Sequence, residues 1–143
     1  MQIVRLAKSS DCNQIFDLIK DGDPGMTTLP KSKQEVKERI NWSISSINKK
    51  KLSDSKDCYL FVLLENKKII GISAIYTSVS KNGSSIFFRR KKKKISSKSL
   101  NFTKDLDVIQ LHKVKKAYTE LGTLFLHPNF RGKGRGSLLS CKI

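Results

Sequence analysis

Arg131, Gly132, Lys133, Gly134, Arg135 and Gly136 alternate cation and glycine over six residues, the composition of an anion cradle. Glycines let the backbone approach a ligand closely. If Ser137-Leu138-Leu139 opens a helix, the unpaired N–H groups of its first turn attract phosphate oxygens, and three flanking cations add to that attraction. Thr27 and Thr28, beside Gly25 and ahead of Pro30, are two hydroxyls that could line a substrate site, although a loop of this composition is more often a plain connection. Arg89-Arg90-Lys91-Lys92-Lys93-Lys94 has the charge of a nucleic-acid patch. It lacks an aromatic stacking platform beyond Phe87 and Phe88, so an exposed edge strand or loop is the favoured reading.

Composition narrows the classes further. The chain has 143 residues, 38% hydrophobic and 29% charged, enough for one domain with a single core. The formal charge of +17 is carried mostly by lysines spread along the chain, which reads as a solvated surface more than as a phosphate-binding patch. Cys12, Cys58 and Cys141 are far apart with no CxxC pair, against a disulfide framework or a metal site and in keeping with a reducing cytoplasm. No apolar run is long enough to span a bilayer, and the N-terminus lacks the features of a signal peptide. A soluble cytoplasmic protein without a membrane partner is expected.

The elements that must position these groups follow from periodicity. Gln2 to Leu6 alternates as a first strand, and Ser9-Ser10-Asp11 offers N-caps to a helix carrying Ile15, Phe16 and Ile19. Asp21 to Gly25 ends it. Ser32 and Glu35 form a capping box for a second helix with Val36, Ile40, Ile44 and Ile47 as its inward stripe. Trp42 lies off that stripe, where it could pack on the preceding loop. Lys49 to Lys56 reads as a flexible connection. Cys58 to Leu64 is apolar enough for a central strand, Glu65 to Lys68 is a tight turn, and Ile69 to Tyr76 returns antiparallel, with Gly71 marking a bulge or a close backbone approach. Thr77 to Asn82 is turn-like. Ile86 to Phe88 and Val108 to Leu111 are short strand candidates, and Lys113 to Lys116 leads on. Thr123 to Leu126 is a buried strand stopped by Pro128-Asn129. An α+β domain with a mainly antiparallel sheet is the expectation.

In that order, Arg131-x-x-Gly134-x-Gly136 after a strand and before a helix resembles the acyl-coenzyme A signature of the GCN5-related N-acyltransferases (GNAT). Three segments are similar to the N-terminal part of the arginine N-succinyltransferase family within it. They are Gly25-Met26-Thr27-Thr28-Leu29-Pro30, then Tyr59 to Leu63 with Ile70 to Ile75, and Glu120 to Arg131 with Gly134, Gly136 and Leu138-Leu139-Ser140. The resemblance runs through all 143 residues and covers the first part of a longer family chain.

It implies a GNAT-like mixed, mainly antiparallel sheet with flanking helices, cut off after the start of the pyrophosphate-loop helix. Residues 1–143 would be the N-terminal part of a single acyltransferase domain. The implied reaction transfers succinyl from succinyl-coenzyme A to the α-amino group of L-arginine, in arginine catabolism, with no permanently bound cofactor. Arg131, Gly132, Lys133, Gly134, Arg135 and Gly136 would bind the pyrophosphate. Leu124, Phe125 and Leu126 would flank the pantetheine arm, and Thr27 and Thr28 would belong to the acceptor loop. Glu120 matches a position where many GNAT enzymes place the base that deprotonates the amine; pairing with a nearby lysine is the structural alternative. His127 stands where the family usually has Asp. A truncated form without a complete active site of its own is expected, so that a second chain or an oligomer would complete the fold. The alternatives are a GNAT enzyme with another donor or acceptor, or a non-catalytic basic protein binding nucleic acid through Arg89 to Lys94; nucleic acid is not the expected partner.

Overall fold

The computed structural model describes residues 1–20, 22, 25–49, 56–79, 86–113 and 117–141, with the side chain of Cys141 excepted. Asp21, Asp23 and Pro24 of the expected helix end at Asp21 to Gly25, most of the connection after Lys49, the turn after Val79 and the lead through Val114 to Lys116 lie outside these residues. Two compact units result, Met1–Ser78 with Thr119–Ile143, and Val79–Tyr118.

The larger unit contains β1 (Gln2–Leu6), α1 (Cys12–Ile19), α2 (Lys33–Ile47), β2 (Cys58–Glu65), β3 (Lys68–Tyr76), β6 (Glu120–Leu126) and α3 (Arg135–Cys141); β4 (Phe87–Ser97) and β5 (Phe102–His112) belong to the other unit. Its four strands form an antiparallel sheet in the order β1-β2-β3-β6. The apolar pair β2 and β3 is central, as its composition predicts. Its turn places Asn66 and Lys67 at φ of 50° and 69°, the left-handed pair that matches a two-residue hairpin to strand twist. One face of the sheet buries Leu60, Val62, Ile72, Ala74 and Phe125 against α1 and α2, which contribute Ile15, Ile19, Val36 and Ile40. The other face packs Leu63 and Ile70 on Leu139 of α3.

Both readings of Gly71 hold. The β2–β3 register shifts between Leu63 and Leu64, leaving an extra residue beside Gly71. A Cβ there would lie 2.9 Å from Leu126 Cδ1, 3.1 Å from Leu139 Cδ2 and 3.1 Å from the Phe125 carbonyl.

Helix α2 departs from its expected stripe. Val36 and Ile40 are buried, but Ile47 is 42% exposed and Ser43 and Ser46 are buried in its place. The reason is the sheet edge: β1 pairs with β2 only as far as Leu6 opposite Phe61. Beyond it, Ser43 Oγ accepts from the Leu60 N–H (2.9 Å) and Ser46 Oγ from the Cys58 N–H (3.1 Å). Ser43→Ala should therefore cost about 1–3 kcal/mol by leaving a buried N–H unpaired, read as a lower denaturation midpoint at unchanged m. Trp42 packs its ring on Tyr76 of β3, with centroids 5.8 Å apart. At the start of α2, Ser32 Oγ accepts from Glu35 N–H as predicted, while the Glu35 carboxylate reaches the N–H of Lys31 rather than that of Ser32.

Asp11, in a single 3-10 turn before α1, is 4% exposed. Its carboxylate accepts from Arg5 Nη1 (2.6 Å), Arg5 Nη2 (2.9 Å) and the Lys8 N–H (2.8 Å). Burial raises its pKa, but the bonds from Arg5 and Lys8 together outweigh burial and leave it lowered. A depressed folded pKa stabilises the fold above the unfolded value, near 3.9, and this contribution is lost as pH falls through the folded value. Asp11→Asn should cost about 1.5–3 kcal/mol at neutral pH and flatten the acid limb of a Tm-against-pH curve below about pH 4.

The second unit is a hairpin of β4 (Phe87–Ser97) and β5 (Phe102–His112). The whole Arg89–Lys94 run lies in a strand, and β5 is longer than the four residues its sequence suggested. Eleven register pairs explain the length. Arg90, Lys92 and Lys94 share a face with Asp105 and Asp107, and Arg90 bonds Asp107 at 2.7 Å; Arg89, Lys91 and Lys93 lie on the opposite face.

Candidate functional site

Strand β6 connects the residues singled out by sequence, and it forms an edge of the four-stranded sheet. Its register with β3 slips between Ile72 and Ala74, so Thr123 and Leu124 together oppose Ser73. Thr123 takes φ of 53° and is buried. This bulge turns the Thr123 hydroxyl into a polar cluster. Thr123 Oγ1 lies 3.0 Å from Tyr76 Oη, accepts from Arg39 Nη1 (3.1 Å) and donates to the Thr28 carbonyl (3.3 Å). Arg39 Nη1 also donates to the Thr28 carbonyl at 2.7 Å, and the guanidinium carbon lies 5.9 Å from the centroid of the Tyr76 ring. Burial raises the Tyr76 pKa, offset in part by the Thr123 bond, so the phenol stays protonated at neutral pH.

Thr27 and Thr28 are both exposed, and the Thr28 backbone is the part fastened to β6. Glu120 begins β6 directly opposite Tyr76, so both side chains share a face. A Cβ at Gly122 would lie 2.9 Å from Tyr76 Cε2 and 3.7 Å from Glu120 Oε1. Ring and carboxylate thus flank one glycine. Glu120 is exposed and forms no ion pair or hydrogen bond among the described residues. The lysine pairing considered for it is therefore absent among those residues. Arg39, Tyr76 and Thr123 were not singled out by sequence. Arg39 sits mid-helix among many cations, and Thr123 looks like an ordinary strand residue until the bulge is known.

At the far end of β6, roughly 20 Å from Glu120 along the strand, Leu126 leads into a 3-10 turn, Pro128–Phe130. His127 holds this turn, accepting from Asn129 N–H at Nδ1 (3.2 Å) and packing edge-on to Phe130. Gly132, Lys133 and Gly134 then take φ of 83°, 51° and 73°, a left-handed run that glycine tolerates at two of its three positions. The loop closes with Arg135 N–H on the Gly132 carbonyl and Leu138 N–H on the Gly134 carbonyl.

The three loop cations are not equivalent. Arg135 bonds Glu65 through Nε and Nη2 (2.8 Å at the shortest) and lies over Phe130, so it docks α3 to β2. Glu65 is held below its ordinary pKa by Gln2 and then by Arg135. Arg131 Nε donates to the Leu126 carbonyl at 3.3 Å. Lys133 is exposed. Of the strand residues, Phe125 is in the core, Leu126 packs toward α3 and Leu124 is exposed; Phe125 can offer a ligand only backbone. The edge strand thus carries a carboxylate at its start, a polar cluster around Thr123 at its middle and a left-handed glycine loop beyond its end. Cys58 is buried, which pushes its thiol up to about 11 and leaves it unreactive as a nucleophile.

Comparison with known proteins agrees with this architecture. Residues 2–142 match the family described as arginine N-succinyltransferase beta subunit. The arginine N-succinyltransferase of Yersinia pestis is 34% identical over 142 residues, covering 98% of this chain and 40% of that protein. The arginine N-succinyltransferase subunit beta of Pseudomonas aeruginosa is 31% identical over 139 residues, covering 96% and 41% respectively. The chain therefore spans about two fifths of the length of these relatives. Among solved structures, arginine/ornithine succinyltransferase subunit AI from Pseudomonas aeruginosa superposes with a TM-score of 0.77 at 23% identity, over 98% of this chain and 43% of that one. A GNAT family acetyltransferase from Staphylococcus aureus gives 0.51 at 21% identity, over 99% and 73%. The fold is that of the GNAT acyltransferases, and the chain belongs to the arginine N-succinyltransferase family.

Proposed function

We propose that this chain takes part in the transfer of succinyl from succinyl-coenzyme A to the α-amino group of L-arginine. The observation that carries the reading is the placement of a carboxylate without a partner among the described residues, Glu120, opposite Tyr76, at one end of an edge strand that is tethered to Thr28 through Thr123 and runs into the Gly132–Gly136 loop. A ligand reaching both ends must be extended along β6, as an acyl-coenzyme A with its pyrophosphate at the loop and its thioester near Glu120 would be. In this reading the backbone from Arg131 to Gly136 and the side chain of Lys133 receive the pyrophosphate, Arg135 secures the loop through Glu65, and the edge of Leu124 to Leu126 lies along the pantetheine arm. Thr27 and Thr28 border the acceptor.

The chemistry is an aminolysis. The neutral amine nitrogen attacks the thioester carbonyl carbon, the C–N bond forms as the C–S bond breaks, Glu120 accepts the amine proton, and the coenzyme A thiolate takes a proton from solvent. No permanent cofactor is needed. The reaction takes place in the cytoplasm. The test is release of coenzyme A thiol from succinyl-coenzyme A on addition of L-arginine to the full chain. Release only with another acyl donor would overturn the succinyl assignment.

A further inference from the structure

The Thr28–Arg39–Thr123–Tyr76 cluster has an unused half. Arg39 spends one nitrogen, Nη1, on both the Thr28 carbonyl and Thr123 Oγ1. Its Nε and Nη2 make no hydrogen bond among the described residues. That edge is one on which a guanidinium takes a carboxylate with two parallel bonds. The side chain is half-buried, so water competes less for it than at an open surface. It is also held from two sides, by Thr28 and Thr123 through Nη1 and by the Tyr76 ring alongside, which reduces the entropy lost when a ligand binds.

Charge is laid out around Tyr76 in an ordered way. Arg39 lies 5.9 Å from the centroid of its ring, and Glu120 faces it across the β3–β6 pair. A cation and a carboxylate thus flank one phenol on the same face of the sheet. An α-amino acid has the complementary pattern, an amine and a carboxylate on one carbon.

We infer that Arg39 is a specificity-determining residue whose Nε–Nη2 edge binds the α-carboxylate of an amino-acid acceptor while Glu120 faces its amine. This inference rests on the acyl-transfer reading and adds to it the group by which an amino acid is told from a simple amine. Arg39 binds here and does not enter the bond-making step.

The experiment titrates the full chain, by calorimetry, separately with succinyl-coenzyme A, with L-arginine and with agmatine, which keeps the amine and guanidine of arginine but lacks its carboxylate. Wild type should bind L-arginine about 10- to 100-fold more tightly than agmatine, the range for one charge-assisted contact. Arg39→Gln should bring L-arginine to the level of agmatine and leave agmatine unchanged, while Arg39→Lys should restore part of the preference. Equal binding of the two ligands by wild type overturns the inference without any variant. An equal loss for both ligands in Arg39→Gln also overturns it, because that is what a purely structural residue would give. If succinyl-coenzyme A binds and L-arginine does not, the acceptor assignment fails and the donor reading stands; if neither binds, both fail.

Discussion

Glu120→Gln is expected to lower the rate of coenzyme A release by about a hundred- to ten-thousand-fold, the range for removing a positioned general base. The substitution keeps size and hydrogen-bonding capacity and removes only the ability to take a proton. Glu120 is exposed and without partners among the described residues, so its loss should scarcely alter stability, and the melting temperature should stay within a degree or two. Because the base acts on the amine, the deficit should shrink as pH rises and the acceptor deprotonates unaided. Binding of succinyl-coenzyme A should be unchanged. Full activity in Glu120→Gln, measured by thiol release under saturating substrates, would return the residue to the status of a surface carboxylate.

The second large effect is structural. Leu139→Ala should destabilise the fold by about 2–5 kcal/mol, a large fraction of the stability of a domain this size. Leu139 is fully buried and packs α3 on Leu63 and Ile70, beside the half-buried Leu138. A seven-residue helix does not persist on its own, since nucleation is costly. Its loss should therefore loosen the Gly132–Gly136 loop as well, giving weaker coenzyme binding together with faster amide exchange in α3. Gly71→Val attacks the same contact from the sheet side, because the new side chain meets Leu126, Leu139 and the Phe125 carbonyl; overpacking of this kind costs about 1–3 kcal/mol. An intact denaturation midpoint in Leu139→Ala would show that α3 is not held by this residue.

Much of the fold was legible because burial patterns are local. The apolar runs of β2 and β3, the turn at Asn66-Lys67 and the capping of α2 by Ser32 all depend on residues close in sequence, and each is present. The failures involve partners far along the chain. Ile47 lost its inward place because β1 stops at Leu6 and leaves β2 N–H groups that serines satisfy better than isoleucine can. The long β5 strand was hidden because its alternation is weak and its length is set by pairing with the basic strand.

The Arg131–Gly136 stretch shows the division most clearly. Its residue types alone specified a glycine-rich loop ahead of a helix, and the structure gives that loop three consecutive positive φ values, at Gly132, Lys133 and Gly134. They also carried the family resemblance. Only the tertiary structure decided that Arg135 turns away to Glu65, that Glu120 stands opposite Tyr76 with no partner among the described residues, and that a bulge swings Thr123 onto Arg39 and the Thr28 carbonyl. Backbone conformation is set by neighbours in sequence, whereas the partner a charged side chain finds is set by which strands and helices pack together.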